Sequence, residues 1–207
     1  MKPIKSLLVL GLLLVPGLAA AQGYYGPGGG PQPVPGGFHN RAGRLAWGFS
    51  VGLGGMHDNG SGITQCANCN YNPVAFEFDG HLGGMLSPRF ALLFEVQGNA
   101  QTVSQDAVGN SDTVLTQSAL MIAAQYWLTP QLWLKGGLGF SHLDAQDNFG
   151  NQWDFGGGGA IMGAVGYELM SAHFFALDLQ GRLIEGTYNS GNDHITSGTI
   201  GLGLNWY

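Results

Sequence analysis

Seven charged residues stand out in a chain that is only 10% charged: Glu77, Asp79, Glu95, Lys135, Glu168, Asp178 and Arg182. Each sits inside a segment of apolar residues alternating with glycine, alanine or serine. Charges in such surroundings must be paired or kept wet, because an isolated charge in a low-dielectric interior is costly. Their chemistry is therefore ion pairing, either as a fixed plug or as a gate that re-pairs to open a water path. A second candidate is Cys66-Ala-Asn-Cys69, in a polar stretch. In an oxidising compartment its default is a local disulfide. A metal site would want four ligands, and the stretch adds only His57 and Asp58; free thiols are the remaining alternative. A redox reading of Cys-x-x-Cys needs a βαβ context that is absent here. His194 with Ser197, and Ser141 with His142, offer a base near a hydroxyl. Their odd separations put the two members on opposite faces of a strand, which disfavours catalysis. The glycine clusters at 28–30 and 156–159 lack the Lys-Ser/Thr ending of a phosphate loop. No enzyme activity, cofactor or resident metal is expected.

The elements that must carry these charges follow from composition and period. Of 207 residues, 44% are hydrophobic, 10% are charged and 37 are glycine. Seven Lys and Arg against 13 Asp and Glu give a net charge of −6, which argues against a nucleic-acid partner. Low charge with substantial hydrophobicity argues against disorder. Residues 1–21 read as a cleavable export signal: Lys2 and Lys5, a short apolar core from Leu7 to Val15, then Ala19-Ala20-Ala21. That core is too short to span a bilayer as a helix, which takes about 20 residues. Residues 22–43 form a Gly/Pro-rich flexible tail, with seven Gly and four Pro among residues 22–40.

From Arg44 onward the period is two. Leu45, Trp47, Phe49, Val51 and Leu53 alternate with Ala46, Gly48, Ser50 and Gly52, and seven further segments repeat the pattern to Trp206. Strict alternation over such lengths is a β signal. Short connections at Ser87-Pro88, Thr129-Pro130 and Ser171-Ala172 alternate with long ones at 57–72, 102–111, 144–152 and 186–192. The seven charges all fall on the less apolar face, and none interrupts the apolar one. A charge facing lipid at mid-membrane costs about 2–4 kcal/mol. A soluble sandwich would instead carry many Lys and Glu on its outer face. The expected fold is all-β: an eight-stranded antiparallel transmembrane barrel over residues 44–207, with short periplasmic turns and longer external loops. Outward aromatics near the strand ends (Trp47, Phe90, Tyr126, Tyr167, Phe175 and Trp206 below, Phe76 and Phe140 above) would form interfacial girdles. Small inward residues such as Gly48, Gly52, Gly137, Gly139, Gly201 and Gly203 leave two readings open, a wet cavity or tight sheet curvature.

This pattern resembles the eight-stranded outer-membrane barrels of the OmpA, OmpX and OmpW-like group, over residues 44–207. The last strand carries the most specific likeness: Thr199, Gly201, Leu204 and Trp206 are similar to the C-terminal assembly signal of such proteins. The resemblance implies export to the outer membrane and recognition by the barrel-assembly machinery. It also implies a lumen bridged by ion pairs. The partners expected are outer-membrane lipid and lipopolysaccharide, with no nucleic acid. Asp58, Asp106, Asp112, Asp144, Asp147, Asp154, Glu185 and Asp193 make the external end acidic, without a single Lys or Arg. That rim could hold divalent cations or attract a basic surface ligand, or its carboxylates are simply solvated turn formers. The functions expected are a structural or surface-interaction role, with a small channel as the alternative and a lipid A-modifying enzyme behind it.

Overall fold

A computed structural model describes residues 37–62, 74–104, 112–147, 149–172, 174–188 and 193–207. Cys66, Cys69, Asp106 and the expected export signal lie outside the described residues. Eight long strands appear in chain order: β1 (Leu45–Asp58), β2 (Ala75–Ser87), β3 (Phe90–Ser104), β4 (Asp112–Trp127), β5 (Leu132–Asp147), β6 (Gln152–Ser171), β7 (Phe175–Tyr188) and β8 (Asp193–Trp206). Each pairs antiparallel with the next, and β1 pairs with β8, so the sheet closes. Closure removes every unpaired strand edge, which a bilayer requires of a spanning sheet. A short return, Ser61–Gly62, pairs with His57 and Asp58 at the top of β1. No helix among the described residues is long and apolar enough to cross a membrane.

The register fixes the geometry of the barrel. From Leu53 the ladder runs through Ile200, Gly181, Val165, Leu134 and Tyr126 to Phe90. In the other direction it runs through Phe76 to Ala100. The two ends meet on β3 ten residues apart, which is the stagger of the closed sheet. Strands so staggered tilt by about 40° from the barrel axis. The interior of eight strands is then just wide enough for side chains to fill.

Alternation sorts the side chains as the sequence implies. The outer face is an apolar band, with Leu53, Leu138, Phe140, Ile161, Leu183 and Ile200 all at least 60% exposed. The interior holds Met56, Met85, Leu93, Met121, Trp127, Trp133, Met162, Ile184 and Tyr188 together with the buried charges. On the outer face near the short-turn end, Trp206 stacks on Trp47 at 4.4 Å, with Phe175 edge-on at 5.6 Å.

Two departures from the expected layout matter. Alternation read straight through β6 puts Asp154 in the inward phase of Met162 and Glu168. A bulge between His142 and Asp144 on the β5–β6 ladder, with Gly156 at φ +79°, shifts that phase. Asp154 consequently lies on the outer face, 3.4 Å from His142 Nε2. The second departure concerns the expected tail, residues 22–43. Its described part, 37–43, packs against the short-turn end of the barrel. Gly43 N–H donates to Met85 O, Arg41 is buried, and Phe38 packs against the lower core.

Candidate functional site in the lumen

Polar side chains fill the lumen in layers, and each layer takes residues from several strands. At the short-turn end, Arg41 reaches into the barrel mouth. Its Nη1 and Nη2 donate to Glu168 Oε1 and Oε2 at 2.9 and 3.1 Å. Nη2 also reaches Ser171 Oγ and the Ala172 carbonyl. Trp127 Nε1 donates to Glu168 Oε1 at 2.8 Å, and Ser171 Oγ donates to Oε2. The guanidinium lies 3.9 Å from the centre of the Tyr207 ring, a cation–π contact. Glu168 is thus fully desolvated, yet both its oxygens are met, which is what such burial requires.

Just above, Asp178 Oδ2 accepts from Asn205 Nδ2 at 2.8 Å and Trp133 Nε1 at 3.2 Å. Among the described residues no cation lies within ion-pair distance of it. Lys135 Nζ meets Glu95 Oε1 at 2.5 Å and sits over the Trp133 ring. In the middle of the barrel, Arg182 Nη1 bridges Glu77 Oε1 at 2.7 Å and Asp79 Oδ2 at 3.1 Å. Glu77 takes two further donors, Gln97 Nε2 at 2.9 Å and Thr199 Oγ1. Towards the long-loop end, Gln117 holds Tyr188 OH at 2.7 Å and accepts from Ser197 Oγ. These groups lie among Met56, Leu115, Leu143 and Ile195, an apolar layer that caps the charges.

Alternation alone sets these charges on the inner face without fixing which of them meet. Arg182 takes Glu77 and Asp79, Glu95 belongs to Lys135, and Glu168 belongs to Arg41 rather than to Lys135 on the neighbouring strand. Arg41 was missed because Gly/Pro-rich flanks hide it. Trp133 and Tyr188 were legible by parity but carry no charge to draw attention. The inward glycines serve two ends: at Gly139 and Gly201 a Cβ would overlap the Leu120 and Val51 carbonyls of the neighbouring strands, and at other positions it would meet a side chain. A Cβ at Gly166 would overlap the Trp133 indole, one at Gly203 the Asp178 carboxylate, and one at Gly52 would come within 2.8 Å of Glu77 Oε2. These positions are small because a neighbour's large side chain fills the space above them.

The hydroxyl–imidazole pairs come apart as parity requires. Ser197 is buried in the lumen on Gln117, whereas His194 is on the outer face 3.4 Å from Glu185. Ser141 is buried inside, and His142 is outside beside Asp154. Of the last-strand residues, Thr199 touches Glu77 from within, Gly201 opposes Gly52, Leu204 opposes Phe49, and Trp206 closes the aromatic stack with Trp47. Tyr207 turns inward, edge-on to Trp127 at 5.9 Å.

No family model and no curated protein matches the sequence. Solved structures do. The Neisserial surface protein A has a TM-score of 0.53 at 9% identity, with 78% of this chain and 95% of that one covered. The attachment invasion locus protein Ail of Yersinia pestis, in complex with the heparin analogue sucrose octasulfate, has a TM-score of 0.50 at 12% identity, with 78% and 98% covered. The fold is that of the eight-stranded outer-membrane β-barrels. In that architecture an apolar outer band faces lipid and the short turns lie on the periplasmic side.

Proposed function

We propose that the protein is a non-conducting outer-membrane barrel whose work is structural or surface-directed, with its binding face at the external loops. The observation that carries this reading is the filled lumen. Arg41–Glu168 and the two tryptophans occupy its lower end, the Arg182 and Lys135 pairs its middle, and an apolar layer around Tyr188 its top. A channel would need the ion pairs to exchange partners. Separating one leaves an uncompensated buried charge, at about 3–5 kcal/mol.

The chemistry of the external end favours a cationic partner, or divalent cations shared with lipopolysaccharide. Among the described residues seven acidic ones (Asp58, Asp112, Asp144, Asp147, Asp154, Glu185 and Asp193) lie at the long-loop end, and every Lys and Arg beyond position 40 is in the lumen or at the short-turn end. Single-channel recording of the refolded, unboiled chain in a planar bilayer tests the reading. The expected result is a silent bilayer from a protein that is folded by gel mobility. Discrete, reproducible openings that grow in Arg182→Ala would overturn it in favour of a gated pore.

A further inference from the structure

The buried charges of the lumen do not balance. Five carboxylates (Glu77, Asp79, Glu95, Glu168 and Asp178) face three cations (Arg41, Lys135 and Arg182) among the described buried side chains. Two negative charges are left over, and uncompensated charge in a dry interior is the least tolerable arrangement a core can hold.

One place in the lumen is equipped to take the compensating charge. Glu95 on β3 lies directly across the ladder from His81 on β2, and Asp79 follows two residues away on the same inward face. One ligand atom from each lies within 4.8 Å of the others. His81 Nδ1 and Glu95 Oε2 are buried without a hydrogen-bond partner, and so is Asp79 Oδ2, which stands 3.1 Å from Arg182 Nη1. The His81 side chain is 7% exposed and that of Asp79 1%. His81 Nδ1 and Asp79 Oδ1 are 3.5 Å apart, long for a hydrogen bond. Two ligands about 2.1 Å from a tetrahedral ion stand about 3.4 Å apart. The supporting shell is present too. Lys135 holds the other oxygen of Glu95, while Arg182 and Ser50 hold Asp79. Gly48 leaves room for the imidazole, since a Cβ there would come within 2.8 Å of His81 Cε1 and Nε2. Ligating carboxylates in metal sites are ordinarily fixed by such outer contacts.

We propose that Asp79, His81 and Glu95 bind one divalent transition-metal ion of the zinc class in the middle of the lumen. One imidazole with two carboxylates and no thiolate suits zinc, cobalt(II) or manganese(II) better than calcium, magnesium or copper(I). The ion supplies two positive charges, equal to the deficit. Since the lumen is capped at both ends, the ion enters as the barrel closes.

The test is refolding of the full chain with Zn²⁺, removal of free metal by desalting, and measurement of zinc per folded chain. The expected value is one. Less than a tenth of an equivalent in folded wild-type protein overturns the proposal, and the charge deficit then falls to bound protons. His81→Gln, with Asp79→Asn as a second variant, should lower retention at least tenfold; retention equal to wild type overturns the site. A His142→Gln/His194→Gln double variant and a Cys66→Ser/Cys69→Ser double variant should keep the ion. Loss in either places it on the rim or in the loop and refutes the lumen site. Refolding with Co²⁺ adds a spectroscopic reading that survives poor folding of the variants. With a water completing the three protein ligands, wild type should show the visible absorption of a four-coordinate ion, and a spectrum of aqueous Co²⁺ alone counts against the site.

Discussion

Arg41→Ala should destabilise the barrel by about 3.5–5 kcal/mol, although residue 41 precedes the first strand. The reasoning rests on what is left behind. Glu168 is fully buried, and removing the guanidinium takes away its only cation along with two of its hydrogen bonds. Breaking a buried ion pair from one side costs about 3–5 kcal/mol. The Trp127 and Ser171 donors remain on Glu168 and hold the loss toward the lower end. Losing the cation–π contact with Tyr207 adds about 0.5–2 kcal/mol. The assay is equilibrium urea unfolding of the barrel in lipid vesicles, followed by tryptophan fluorescence, because Trp127 lies at this site. Glu168→Gln in the Arg41→Ala background removes the stranded charge. The double variant should recover about 2 kcal/mol relative to Arg41→Ala, a coupling typical of groups in direct contact. If Arg41→Ala lies within about 0.5 kcal/mol of wild type, residues 37–43 are an appendage and the lower closure of the lumen loses its support.

Three further outcomes follow from the same geometry. Gly166→Ala should cost about 1–3 kcal/mol through overpacking against Trp133, whereas Gly163→Ala, whose Cβ would meet nothing within 4 Å, should be neutral or slightly stabilising. The same unfolding assay checks both, and equal effects would refute the view that inward glycines make room for neighbours. Leu138→Arg, on the lipid face at mid-height, should cost about 2–4 kcal/mol in vesicles. A neutral result would mean that this face does not meet hydrocarbon. Asp147 ends the 16-residue β5, beyond the roughly 9–11 residues that span a bilayer. The Asn151 side-chain amide, then the backbone N–H groups of Asn151, Phe149 and Gly150, hold its carboxyl below the usual 3.8. Its contribution to the turn is thus complete above pH 3.8 and lost only as pH falls through the lower folded-state value. An NMR titration of the Asn151 amide should show a midpoint below 3.8, and a midpoint at or above it would contradict this reading.

How much was legible in the sequence depends on which physical rule each residue obeys. Strand number, closure and the inward phase of Glu77, Asp79, Glu95, Lys135, Glu168, Asp178 and Arg182 were legible, because a bilayer tolerates no error in a period of two. The partners within the lumen were not. Which carboxylate meets Arg182 depends on the stagger of ten residues, and that stagger is set by how the sheet closes rather than by any one strand. Asp154 escaped because a single bulge at Gly156 exchanges the faces beyond it. Arg41 escaped because composition averages over its neighbours, while its burial depends on one contact with Glu168. His81 shows the same limit in another form. Alone on a strand it is an unremarkable inward residue, and only the pairing of β2 with β3 sets it opposite Glu95. Period assigns a residue to a face, and closure decides which residues on that face meet. Any chemistry in this lumen therefore rests on the stagger, and a one-step slip between β2 and β3 would turn Glu95 to the lipid and leave Lys135 and His81 without it.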